Sequence, residues 1–160
     1  MAKNISRRQF MRTTAVAGGA AAMMPQALFS SRMKTRVKLG FIGTGLRGQW
    51  MLWLAAKYPE VEIPAICDID DGMIGSALKI LKDGGKPEPK VYKKNEEDFR
   101  NLVKNEDLDG VYIATPWEWH HPMAIAAMKA GMHVGTEVPA ALTVDECWDL
   151  VNVSERTGKL

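Results

Sequence analysis

The sequence predicts an α/β protein built on a doubly wound parallel sheet. Short apolar, β-rich runs alternate with helical stretches from residue 37 onward, which is the pattern of repeated βαβ units. A glycine-patterned turn joins the first run to the first helix, and an acid closes the second run.

The predicted strands are Val37 to Ile42, Glu62 to Cys67, Lys90 to Tyr92, Gly110 to Ala114 and His133 to Thr136. Most are short and apolar, as strands covered on both faces should be. Pro64 cannot donate to a ladder, so the second strand is expected to be irregular near its start. Helical periodicity runs over Gly48 to Lys57, Asp70 to Lys82, Glu96 to Lys104 and Pro122 to Ala130, with Gly131 as a C-terminal stop. A last helix opens at Thr143, where Thr143 and Glu146 fit a capping box, and ends at Gly158. The sequence stops two residues later, where a doubly wound sheet calls for another strand, so it reads as the front part of a longer protein.

The length of 160 residues suits one ordinary domain with one buried core. A hydrophobic share of 46% and a charged share of 25% belong to the globular class. The formal charge of +2 is misleading, because Lys3, Arg7, Arg8 and Arg12 fall in a leader, Met1 to Ser31, that holds no acid; the remainder has 17 basic and 19 acidic residues, a net −2. No basic face for nucleic acid is indicated. Cys67 and Cys147 have no metal-ligand spacing and cannot make a disulfide framework, so both are read as small buried residues.

In the leader, a basic stretch precedes the short Ala- and Gly-rich apolar run Thr13 to Met24. That run is too short for a membrane span of about 20 residues, which makes residues 1–31 a targeting signal. Ser6-Arg7-Arg8-Gln9-Phe10-Met11 resembles the twin-arginine export signal, and this implies the twin-arginine machinery as a partner and a periplasmic destination.

Gly43-Thr44-Gly45-Leu46-Arg47-Gly48 matches G-x-G-x-x-G between a strand and a helix, the Rossmann arrangement. Gly43 permits the tight turn, Gly45 lets a pyrophosphate approach the backbone, and Gly48 lets helix and strand pack closely. Asp68 lies 20 residues after Gly48, where a carboxylate accepts the adenine-ribose hydroxyls and repels the extra phosphate of NADP. The expected cofactor is therefore NAD. The competing reading is a plain strand-to-helix turn, with Asp68 capping the next helix.

Trp117-Glu118-Trp119-His120-His121-Pro122 follows the fourth predicted strand, and Glu137 follows the fifth. Loops at the carboxyl ends of parallel strands line the ligand crevice, so these residues are expected to face the cofactor, with acid/base roles secondary. His120 or His121 alone is more often a helix N-terminal capping neighbour than a catalytic base, and Glu137 can serve as a solvated or capping acid.

From Lys34 to Leu160 the chain resembles the Gfo/Idh/MocA family of sugar-directed NAD(P) oxidoreductases: the G-T-G-L-R-G turn, Asp68, Ala114-Thr115-Pro116 with His120, and Glu137 fall where that family has them. The family's dehydrogenases carry E-K-P with a catalytic lysine, whereas here Glu137 is followed by Val138-Pro139. With the W-E-W-H segment and the twin-arginine leader, this is similar to glycoside hydrolase family 109, which includes α-N-acetylgalactosaminidases. The resemblance implies a glycoside substrate. It also implies hydrolysis through transient oxidation at sugar carbon 3, elimination, hydration and return of the hydride, with NAD regenerated. It implies NAD contacts at Leu46, Arg47, Asp68, Trp117, Glu118, Trp119, His120, Glu137 and Val138. The domain plan expected is a signal peptide at 1–31, an NAD-binding domain at 32–160, and a second, substrate domain with the catalytic residues beyond Leu160. A sugar dehydrogenase is the alternative activity, a non-enzymatic nucleotide-binding module a third reading, and homo-oligomerisation is left open.

Overall fold

The computed structural model describes residues 36–160. The leader, with its twin-arginine segment, lies outside the described residues. Among the described residues six strands and five helices follow in the order β1 Val37–Ile42, α1 Leu46–Ala56, β2 Val61–Glu62, β3 Ala65–Cys67, α2 Asp71–Asp83, β4 Lys90–Tyr92, α3 Phe99–Asn105, β5 Gly110–Ile113, α4 Trp117–Lys129, β6 His133–Thr136 and α5 Val144–Thr157. All pairings are parallel, in the order β4-β3-β1-β5-β6, with β2 beside the start of β1. Strand order reverses between β1 and β5, and an open α/β sheet holds its ligand at such a switch point.

Pro64 splits the expected second strand. Val61 and Glu62 pair with Val37 and Lys38, while Ala65 to Cys67 resume lower in β1's register against Phe41 and Ile42 and on their other side against β4. The Pro64 carbonyl between the two pieces accepts from the Lys90 amide, so the interruption keeps its acceptor satisfied.

Side-chain alternation along the strands feeds two cores. Phe41 and Ile66 face α1 and α2, where Leu52, Ile74, Ala77 and Leu81 close over them. Ile42, Ala65, Cys67, Val111 and Ile113 face α3 and α4, meeting Phe99, Leu102, Met123 and Ala127. Burying each larger apolar side chain contributes about 1.5–3 kcal/mol, and this double coverage explains why the strands read as continuous apolar runs. α5 joins through Val153, which meets Ile125 and Met128 of α4.

Several boundaries differ from expectation. α4 begins at Trp117 rather than Pro122, with Pro116 at its N-cap and Pro122 inside the helix. Proline favours the first helical position, but here the buried His120 and the core residues Met123 and Ala124 hold the preceding turn helical. α1 starts at Leu46, two residues earlier than expected. α3 starts at Phe99, because Asn95 and Asp98 first spend their side chains on local turns: Glu97 N donates to Asn95 Oδ1, and Lys94 N to Asp98 Oδ2.

The α5 capping box between Thr143 and Glu146 is present, and Gly158 ends the helix in the left-handed region. Cys67 is buried as expected, but Cys147 is exposed. The helix turns Leu150 and Val153 towards α4 and carries Cys147 on its outer face with Val144 and Trp148.

Candidate functional site

The carboxyl ends of β1, β3 and β5 open into a crevice of about 300 Å³ lined by Gly43, Gly45, Asp68, Ile69, Thr115 and Trp119 among others. It sits at the switch point, and its floor is apolar: Ile42, Cys67, Ala114 and Met123. Burial pushes the Cys67 thiol up to about 12, with the nearby Asp98 and Asp68 carboxylates adding to it, so the floor offers no thiolate.

The glycine turn is set by steric clearance. Gly43 takes φ 88°, and a Cβ there would lie 2.6 Å from the Ala114 carbonyl oxygen. A Cβ on Gly48 would lie 2.1 Å from the Gly43 carbonyl oxygen, so only glycine lets α1 pack so closely on the turn. A Cβ on Gly45 would meet nothing within 4 Å. Gly45 is thus the point where the turn presents bare backbone to open space, at the N-terminus of α1 and within the crevice lining. Unpaired N–H groups and the helix dipole favour an anion there. These features fit a pyrophosphate, and the turn is the segment that would hold it.

Asp68 lines the crevice and is tied to the glycine turn. Its Oδ2 accepts from the Thr44 amide at 2.5 Å and from Thr44 Oγ1 at 3.0 Å, and its Oδ1 accepts from the Asp70 amide at 3.0 Å. The helix-capping role falls to Asp70 instead, whose Oδ1 accepts from Gly72 N and Met73 N at the start of α2. Asp68 therefore does not cap α2, and its side chain faces the crevice and the turn. Gly43 N also donates to the Cys67 carbonyl, so turn and strand end are stitched side by side.

On the far side of the switch point, Trp117, Glu118, Trp119 and His120 form the first turn of α4 rather than a loop. They do not share one role. Trp117 is exposed, as is Glu118. Trp119 lines the crevice and stands edge-on to Phe99, with ring centroids 6.1 Å apart. His120 is 1% exposed; its Nδ1 lies 2.7 Å from the Pro139 carbonyl oxygen and its Nε2 2.9 Å from that of Thr115. Its ring therefore braces the loops after β5 and β6. His121 faces α5, with Nε2 3.1 Å from Asp149 Oδ2.

Arg47 and Glu137 lie 90 positions apart and form an ion pair, Nε to Oε1 at 2.5 Å. Tyr112 Oη donates to the same Glu137 oxygen. The tyrosine bond first, and Arg47 second, hold the Glu137 carboxyl below the usual range. Burial, reinforced by Glu137, pushes the Tyr112 hydroxyl up to about 12. Arg47 also stacks over Trp50, 5.2 Å from the ring centroid. Leu46 and Val138 are exposed, at 83% and 79%. Sequence reasoning brought out Arg47 and Glu137 but missed Tyr112 and Thr44. Strand alternation places Tyr112 on the face of Phe41, yet no local signal shows it reaching Glu137. Thr44 occupies a position that the glycine pattern leaves free.

Among the described residues no group of His, Cys, Asp or Glu is arranged to hold a metal ion. Residues 37–160 match the Gfo/Idh/MocA oxidoreductase family profile, an NAD-binding Rossmann fold, and residues 4–24 match the signal sequence of the twin-arginine translocation pathway. A glycosyl hydrolase family 109 protein of Saccharopolyspora erythraea is 44% identical over 172 residues, covering 96% of this chain and 38% of that protein. An alpha-N-acetylgalactosaminidase of Tannerella forsythia is 53% identical over 123 residues, covering 76% and 26%. The chain thus spans well under half the length of either relative. The scyllo-inositol dehydrogenase of Lactobacillus casei, solved with bound NAD(H) and scyllo-inositol, matches with a TM-score of 0.66 and 25% identity over 77% of this chain and 34% of that one. The parallel sheet, the crevice at its switch point and the profile spanning 37–160 agree: the chain belongs to the Gfo/Idh/MocA oxidoreductase family, and these residues are its NAD-binding Rossmann domain.

Proposed function

We propose that this chain is the cofactor-binding part of an exported, periplasmic, NAD-dependent glycoside hydrolase acting on substrates such as α-N-acetylgalactosaminides. The observation that carries this reading is Val138. It follows Glu137 directly at the end of β6, is 79% exposed, and has no ionisable group where the dehydrogenase pattern E-K-P has its lysine. The position therefore departs from the pattern of the family's simple dehydrogenases, and removal of a proton from a sugar hydroxyl at this site must use another group. The relatives named glycosyl hydrolase family 109 protein and alpha-N-acetylgalactosaminidase support the same direction, and the twin-arginine match at 4–24 supports export.

Bound NAD supplies reversible hydride transfer at a sugar carbon. In this reading the glycine turn, Gly43, Gly45 and Gly48 with Leu46 and Arg47, binds the pyrophosphate, and Asp68 accepts from the adenine ribose. The first turn of α4, Trp117 to His120, shapes the wall against the cofactor, with His120 acting through the loops it braces. Glu137 and Val138 border the reacting end. The groups that grip the sugar and move its protons belong to the part of the relatives' length that this chain does not span.

The test is incubation of the full-length protein with a chromogenic α-N-acetylgalactosaminide. Release of chromophore over many turnovers without accumulation of NADH is the expected result. NADH formed in step with sugar consumed would instead support a sugar dehydrogenase, the second reading, which the likeness to scyllo-inositol dehydrogenase favours.

A further inference from the structure

The geometry points to Thr44 as a specificity-determining residue that enforces NAD over NADP by holding the Asp68 carboxylate in place. The inference rests on the reading of Asp68 as the ribose acceptor.

A carboxylate at the end of a second Rossmann strand rejects a ribose phosphate only while it stays where that phosphate would sit. A loose side chain can rotate away and let the phosphate in, so the strength of rejection depends on how firmly the acid is fixed. Asp68 is fixed on both oxygens. Thr44 gives Oδ2 two donors, its amide at 2.5 Å and its hydroxyl at 3.0 Å, and the Asp70 amide gives Oδ1 one at 3.0 Å. An ionised carboxylate accepts at about four sites, which leaves roughly one for the ribose, on Oδ1.

Thr44 can perform this role because it is itself immobile. It is 0% exposed, and its carbonyl accepts from Gln49 Nε2 at 2.9 Å. Burial keeps water from competing for the Thr44 hydroxyl, so the bond it donates retains its strength. The side chain therefore acts on the cofactor through Asp68, as a positioning residue in the free second position of the glycine pattern.

The experiment measures the affinities of the full-length protein for NAD and for NADP by calorimetry, in the natural sequence and in Thr44→Val, Thr44→Ser and Asp68→Ala. Thr44→Val keeps the amide bond and the volume but removes the hydroxyl donor. It is expected to narrow the NAD-to-NADP ratio about tenfold, the value of one hydrogen bond to a charged group, with Thr44→Ser restoring it. Asp68→Ala is expected to abolish the ratio. Equal weakening of both cofactors in Thr44→Val, or a serine variant no better than valine, would overturn the inference while leaving Asp68's role intact. A ratio unchanged in Asp68→Ala would overturn both. Should the valine variant fail to fold, Thr44→Ala makes the same comparison.

Discussion

The two segments that flank the crevice are held by different means. Between Gly43 and Gly48 the constraint is backbone clearance: side chains on the first and last glycines would collide with carbonyl oxygens at 2.6 and 2.1 Å. Between Trp117 and His120 the backbone is ordinary helix, and the constraint lies in the side chains, with the His120 ring set between two loop carbonyls and Trp119 against Phe99. A motif made of glycines encodes its own geometry, because the residue type is the clearance. A motif made of rings takes its roles from whatever the fold brings alongside.

Four substitutions test that contrast. Gly48→Ala should have the largest effect, about 3 kcal/mol of lost stability in denaturant unfolding, because the Gly43 carbonyl cannot retreat without moving the turn. His120→Ala should follow at about 2 kcal/mol, since it removes a buried ring set between the Thr115 and Pro139 carbonyls and leaves the one its N–H serves without a donor. NAD affinity should fall with it as the two loops loosen. Gly45→Ala should change stability by no more than about 0.5 kcal/mol, because its Cβ enters open space, yet should weaken NAD binding measured by calorimetry. If Gly45→Ala proved as destabilising as Gly48→Ala, the distinction between packing glycine and ligand glycine would collapse.

Tyr112→Phe should have the smallest effect. The tyrosine bond is the first cause of the lowered Glu137 carboxyl, so its removal should raise that group's NMR titration midpoint towards the ordinary value. The sign for stability follows. A carboxyl held low in the folded state contributes fully above its unfolded midpoint, and that contribution is lost as pH falls through the lower folded value. The Tyr112→Phe protein should therefore lose less stability on acidification than the parent. An unmoved midpoint would show that the tyrosine does not act on Glu137.

The same contrast accounts for what was legible in the sequence. Strand positions and the parallel character of the sheet follow from apolar runs covered on both faces, and the glycine turn with Asp68 follows from spacing. Helix starts were harder to read. Pro122 looked like a first-turn residue, but burial of His120 and Met123 overrode that preference and carried the helix back to Trp117. The outward placement of Cys147 depends on which face of α5 meets α4, and residue type alone does not decide this. The Asp68–Thr44 and Tyr112–Glu137 contacts join residues 24 and 25 positions apart, so only the assembled sheet brings them together.

The Arg47–Glu137 pair has an implication for how this domain can vary. It joins the first helix to the end of the last strand, across the line where strand order reverses, with the acid's side chain only 18% exposed. Losing the arginine alone would strand a largely covered negative charge beside a tyrosine hydroxyl, and losing the acid alone would free a cation beside the glycine turn. The two positions should therefore drift as a couple over evolutionary time, with the tyrosine as the third party to their agreement.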